Sequence, residues 1–209
     1  KALLYVSVFD EGRPLPQAEE RSRSFHNSMH GQHVTWQTDW SRENPKYTMV
    51  NRGGGISQWG VLCYGYPEVR EQIKKRILGF IDGNNFDGVF LCTRSQCRPA
   101  DYAEQFGFNK PVRDDFYNLY GNDIEREDFD LIKWHSLLGN YFTIFLRELS
   151  FNLHEKGLTL SIGIPRGDVI GPPLGNWDLQ WRIWVEEGLI DELIIDQNSS
   201  KCPSMWHDL

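Results

Sequence analysis

Ala2-Leu3-Leu4-Tyr5-Val6-Ser7-Val8-Phe9 is an almost unbroken apolar run that ends at Asp10-Glu11-Gly12-Arg13-Pro14. A strand with one wet face alternates apolar and polar residues. This run is apolar on both phases, so it reads as a strand covered on both sides, as in a parallel sheet. The same grammar returns three times. Residues 86–91 open onto Cys92-Thr93-Arg94-Ser95, residues 158–164 onto Pro165-Arg166-Gly167-Asp168, and residues 192–195 onto Asp196-Gln197-Asn198. Between these runs the apolar spacing changes to three and four. Pro67 followed by Val69, Ile73, Ile77 and Phe80 predicts a helix over 68–82. Leu131, Trp134, Leu138, Phe142, Phe145, Leu149 and Leu153 predict one over about 125–156, with Gly139 as a kink or break and Gly157 as a stop. Leu179, Ile183 and Trp184 predict a third over 178–187. Strands alternating with helices imply βαβ units, hence parallel strands and right-handed crossovers.

The rest of the sequence bounds this reading. With 209 residues, 40% hydrophobic and 24% charged, the chain suits one well-buried domain and excludes wholesale disorder. A net charge of -7 argues against a dedicated nucleic-acid binder and against adhesion to anionic lipid. No apolar run approaches the roughly 18 residues of a membrane span, and the start lacks a signal-peptide pattern. Cys63, Cys92, Cys97 and Cys202 form no C-x-x-C pair, so neither a zinc site nor a disulfide framework is indicated. Eight Trp, eight Tyr and twelve Phe must fill a core or line a gripping surface. Trp134 and Trp184, at helical spacing, read as core; Trp36, Trp40, Trp59, Tyr64 and Trp177 fall in irregular segments where a flat ring can stack on a ligand. Two such segments, about 12–60 and 95–123, each follow a strand's C-terminal end. Long irregular segments are usually functional, and parallel α/β folds place their ligands at that end.

Several stretches resemble bacterial family-10-like glycosyl hydrolases, a group of TIM-barrel proteins. Asn44-Pro45-Lys46-Tyr47-Thr48-Met49-Val50-Asn51-Arg52-Gly53-Gly54 is similar to its HPEY-x-x-VDR-x-G segment, and Tyr66-Pro67-Glu68-Val69-Arg70 to its NPEVR helix opening. Phe86-Asp87-Gly88-Val89-Phe90-Leu91 resembles its DGIHFDDY strand; Ile162-Gly163-Ile164-Pro165-Arg166 and the stretch from Trp184 to Asp191 resemble later motifs in the same order. The collinear match runs over about residues 44–197. It implies a (β/α)8 TIM-barrel fold of which this chain, a single partial domain over 1–209, supplies about strands three to six, with the remainder of the barrel elsewhere in the full-length protein. It also implies a carbohydrate substrate and action on polymers outside the cytoplasm, in the periplasm or secreted. One departure is sharp. The family's strand-four Asp pair is replaced by Cys92 and Thr93, while Asp87 aligns with an earlier Asp at the start of that strand.

Glycoside hydrolysis needs two carboxyl groups flanking the scissile bond, about 5 Å apart for retention and roughly 6.5 to 9.5 Å for inversion. The strand-end acids are Asp10 and Glu11, Asp168 and Asp196, with Arg94, Arg98 and Arg166 beside them. Asp196 and Asp10 are the expected catalytic pair, Asp168 the reserve. Glu11, Arg94, Arg166, Trp59, Tyr64 and Gln197 are the expected substrate contacts, and the arginines suit an anionic sugar because guanidinium binds planar anions in bidentate fashion. No cofactor is expected. Two alternatives stand beside hydrolysis: a catalytically silent barrel that binds glycan, and a metal-dependent hydrolase using His26, His30 and His33. The histidine spacing is not that of a helical H-E-x-x-H, so no metal is assigned.

Overall fold

The computed structural model describes residues 1–12, 37–93, 97–165, 169–170 and 177–196, with Val169, Ile170 and Asp196 described by backbone alone. Through them the chain runs β1 (Leu3–Ser7), α1 (Asp39–Glu43), a 3₁₀ turn (Pro45–Tyr47), β2 (Thr48–Val50), β3 (Ser57–Leu62), α2 (Pro67–Asp82), β4 (Gly88–Cys92), α3 (Lys110–Tyr120), α4 (Leu131–Glu155), β5 (Thr159–Pro165), β6 (Val169–Ile170), β7 (Trp177–Asp178), α5 (Trp181–Glu186) and β8 (Glu192–Asp196). The four runs expected as strands form one parallel sheet in the order β1-β4-β5-β8. Spatial order therefore equals chain order, each crossover stepping the same way. A doubly wound sheet reverses direction at a switch point; this one does not. Right-handed crossovers stepping one way place their helices on a single face. The fold is mixed α/β with a parallel sheet, open at β1 and β8, so a closed (β/α)8 barrel is not seen among the described residues.

Register divides the sheet into two unlike faces. Val89, Leu91, Leu160 and Ile162 stand on the helix side and are wholly buried, joining Ile73, Ile77, Phe145 and Leu149 from α2 and α4 in one core. The opposite rows hold Tyr5, Phe90, Ser161 and Glu192, then Ser7, Cys92, Gly163 and Ile194. There Tyr5 is 62% exposed and Ile194 46%. This second face is concave. Lys1 Nζ lies 3.3 Å from a Glu192 carboxylate oxygen although the residues flank opposite edges and differ by four residues in level. On a flat sheet that diagonal is about 19 Å between backbones, beyond the combined reach of the two side chains, so the sheet coils strongly. Glu192 also accepts a 2.6 Å hydrogen bond from Ser161, and these two partnerships hold its carboxyl below its usual pKa. Gly163 is needed on this face because a side chain there would stand 2.7 Å from the Phe90 ring.

The long helix starts later than its periodicity suggests and does not break. Asp130 caps it by accepting from the Ile132 and Lys133 amides, so it begins at Leu131. Gly139 is neither kink nor stop. A Cβ at that position would lie 2.1 Å from the Asp178 carbonyl oxygen, so the glycine admits close approach of the β7 backbone. The third helix shortens to Trp181–Glu186 because Trp177 and Asp178 pair with Val169 and Ile170 as an antiparallel hairpin. Within the segments read as irregular lie α3 and the β2–β3 hairpin. Asn109 sews them together: buried, it donates to the Thr48 carbonyl at 2.8 Å and accepts from the Val50 amide at 3.2 Å.

Candidate functional site at the C-terminal rim of the sheet

At the end of β1 the chain leaves the sheet through Val8, whose amide still donates to the Cys92 carbonyl at 3.1 Å. Asp10 then closes an Asx turn, accepting from the Gly12 amide at 3.1 Å, with Gly12 at φ 85°. At the far edge, Asp196 ends β8 opposite Pro165 of β5. Both expected catalytic acids therefore stand at the same end of the sheet. They occupy its two outermost strands. Along the sheet they are separated by β4 and β5, and the curl that joins Lys1 to Glu192 draws the two edges toward each other. Between them, β4 ends in Cys92 and is followed by Thr93, both buried, and the Thr93 hydroxyl is committed to the Gly163 carbonyl at 2.8 Å.

Glu11 is a correction. Expected to touch substrate, it is 2% exposed and clasped by Arg76 of α2, whose two terminal nitrogens donate at 2.9 and 2.6 Å, while Thr38 adds a 2.5 Å hydrogen bond. Burial pulls the Arg76 guanidinium down, but the Glu11 carboxylate more than offsets it, leaving its pKa raised. The clasp fixes residues 10–12 against 37–38: Thr38 donates its amide to the Glu11 carbonyl at 3.1 Å, and Gly12 bridges Gln37. Glu11 thus positions the stem of the first insertion. Its carboxylate is spoken for.

Tyr64 is the second correction. At 1% exposure it packs edge-on against Phe9, Phe142, Phe145 and Trp177, and its hydroxyl donates to the Val8 carbonyl at 2.7 Å. Its phenol is pushed up by burial, then by the charge of Glu11. Trp177 is 2% exposed in the same cluster, so neither ring has a face to offer a sugar. Trp40 stacks on Tyr47 at 5.1 Å between centroids. Trp59 is half-buried on β3, its carbonyl accepting from the Arg98 amide at 2.9 Å, and it keeps part of its surface in solvent. Trp134 and Trp184 are wholly buried. Asp168, Arg94, Arg166 and Gln197 lie outside the described residues, as do Trp36 and the three histidines His26, His30 and His33. Among the described residues no three His, Cys, Asp or Glu side chains converge as a metal site. No helix there is long and apolar enough to cross a membrane.

One titratable grouping escaped the sequence reading. His135, in the first turns of α4, holds Nε2 3.8 Å from Glu104 Oε1, too far to hydrogen bond, and that nitrogen is buried without a partner. Burial lowers the imidazole pKa, against the opposing charges of Glu104 and Asp178. The grouping joins the loop after β4, the start of α4 and β7, with Glu104 and Asp178 standing 31 and 43 positions from His135 in the sequence. No spacing motif marks such a set.

No family model matches the chain, and neither does any curated protein sequence. Among solved structures it is similar to the putative sporulation-specific glycosylase ydhD of Bacillus subtilis, with 12% identity and a TM-score of 0.38, covering 92% of this chain and 47% of that one. It is also similar to the Group IV chitinase of Ostrinia furnacalis, with 17% identity, a TM-score of 0.37 and coverage of 91% and 41%. The same chitinase in complex with allosamidin gives 18% identity and a TM-score of 0.37, covering 93% and 41%. The chain spans less than half the length of each of these structures.

Proposed function

We propose that this chain is the catalytic-type part of a carbohydrate-active barrel protein, family-10-like, that hydrolyses glycosidic bonds in a polysaccharide or oligosaccharide through carboxyl groups. The observation that carries the reading is the singly wound parallel sheet with Asp10 and Asp196 both at its C-terminal rim, the end at which barrels of this type keep their chemistry. One acid protonates the leaving oxygen; the other acts as base on a water or as nucleophile. Asp196 is the common member of the pair. Asp168 follows β5, the strand beside β8, and is its reserve partner within one sheet. Arg94, Arg166 and Gln197, with Trp59 as a stacking face, complete the substrate contacts and suit an anionic sugar. The site of action is extracytoplasmic, the periplasm or the exterior.

A second reading, a barrel that binds glycan without cleaving it, is favoured by the end of β4, where Cys92 and the engaged Thr93 leave no acid. Turnover of a polysaccharide panel by Asp196→Asn, Asp10→Asn and Asp168→Asn separates the two. Losing 10²-fold or more with Asp196→Asn supports hydrolysis. Unchanged turnover in all three variants overturns it, and binding without turnover in the parent chain leaves the silent barrel.

A further inference from the structure

The α3 helix has two unlike faces. Val112 and Phe116 turn inward, while Lys110, Arg113, Asp114, Tyr117 and Asn118 recur at spacings of three and four on the other side. That outer face forms one wall of a cavity of about 450 Å³, and the turn holding Asp123 and Glu125 forms the other. The turn is fixed in place. The Arg52 guanidinium donates to the carbonyls of Glu125 and Glu127 at 3.0 and 2.5 Å, Asp123 accepts from the Glu125 amide at 3.0 Å, and Ile124 between them is fully buried. Asn109 pins the start of α3 to β2. Both walls are therefore set by contacts within the fold, as in most ligand sites, which are largely pre-formed.

The lining selects the class of ligand. Lys110 pairs with Asp114, Arg113 with Glu125, and Arg126 lies 3.8 Å from Asp123, so each charge has an opposite partner and none is left over to call for an ion. What these pairs offer is N–H donors and carboxylate acceptors side by side, the complement of a molecule whose every hydroxyl both donates and accepts. Beside them stands Tyr117, 58% exposed and without a ring or hydrogen-bond partner for its side chain among the described residues. The exposed Asn118 amide is likewise uncommitted and supplies one acceptor and two donors. A pyranose divides in the matching way, with C–H groups on its faces and hydroxyls around its edge. We propose that this cavity is a second glycan site, taking a neutral pyranose unit with one face on the Tyr117 ring and its hydroxyls on Asn118 and the ion pairs. Resting on the carbohydrate reading above, the site holds a polysaccharide away from the catalytic acids, since neither Asp10 nor Asp196 lines it. The α3 helix lies in the connection that leaves β4 at the C-terminal end of the sheet, the end that carries both acids.

Isothermal titration of the 209-residue chain with neutral hexasaccharides of glucose, xylose, mannose and N-acetylglucosamine, and with a galacturonate hexamer, tests the site without reference to turnover. At least one neutral probe is expected to bind. Tyr117→Ala should weaken it about tenfold and Asn118→Ala about threefold, whereas Tyr117→Phe, which keeps the ring, should bind as the parent does. Both side chains are exposed, so far-UV circular dichroism should stay unchanged in all three variants. A parent chain that binds none of the four neutral probes overturns the proposal, and so does a Tyr117→Ala chain that binds as tightly as the parent. Galacturonate held more tightly than every neutral probe overturns the neutral assignment. On the polysaccharide, Tyr117→Ala should act by raising KM. Tyr117-dependent binding in a chain without turnover keeps the site and rejects the hydrolase; turnover with KM and binding unmoved by Tyr117→Ala keeps the hydrolase and rejects the site.

Discussion

The two faces of one sheet differ more than their sequences do. Leu91 and Tyr5 both sit in apolar runs, yet Leu91 is wholly buried against helices and Tyr5 is 62% exposed on the concave side. On the helix face the apolar side chains of the central strands are matched by crossover helices, and the buried Glu11 is paired with Arg76. On the concave face the matching is local: Tyr5 stacks on Phe90 at 5.6 Å, and Lys1, Glu192 and Ser161 satisfy one another. The lesson is that a strand run apolar on both phases reports that two surfaces are to be covered without saying by what.

Substitutions should fall into two classes accordingly. The largest effect is expected beneath the helix face, where Arg76→Ala strands the buried Glu11 carboxylate and costs about 4 kcal/mol in chemical denaturation; a loss under about 1 kcal/mol would place Glu11 in solvent. Leu160→Ala, in the same core, should cost about 3 kcal/mol. Gly139→Ala should cost about 2 kcal/mol by forcing α4 off the β7 backbone, with the far-UV spectrum retained; a neutral result would break the close-approach account.

Acid should find His135. Its folded pKa is lowered by burial, so the unfolded chain binds the proton more readily. Its contribution is fully present above the ordinary imidazole value of about 6.5 and is lost as pH falls below that value toward the folded pKa. Denaturation midpoints at pH 7 and pH 5 should therefore differ more for the parent chain than for His135→Phe; equal slopes would remove the buried imidazole from the account. At the small end, Tyr5→Ser on the concave face should change the stability of the isolated chain by only about 0.5 kcal/mol. If instead it matches Leu160→Ala, the Tyr5 ring is as closely packed as the helix face.

Much of the fold was legible because short-range rules govern it. The four strands follow from short unbroken apolar runs and the helix beginning at Pro67 from a spacing of 3.6, and their observed bounds move by only a few residues. The α3 helix was hidden inside polar sequence because only Val112 and Phe116 turn inward from it. The site was less legible. Asp10 and Glu11 are chemically alike and adjacent, yet one closes a turn at the rim and the other is buried on Arg76, 65 residues away. Tyr64 and Trp177 looked like ligand rings because the segments around them lack periodicity, which says nothing of whether a ring points inward.

By itself the sequence determined the repeated strand and helix units, their parallel sense, and which acids end each strand, since these depend on neighbours a few residues apart. Tertiary structure alone decided the strand order, the curl that brings Lys1 to Glu192, the burial of Glu11 and Tyr64, and the placing of Asp10 and Asp196 on opposite edges. Those depend on which distant surfaces meet, and a side chain's partner across the fold leaves no mark on the residues beside it.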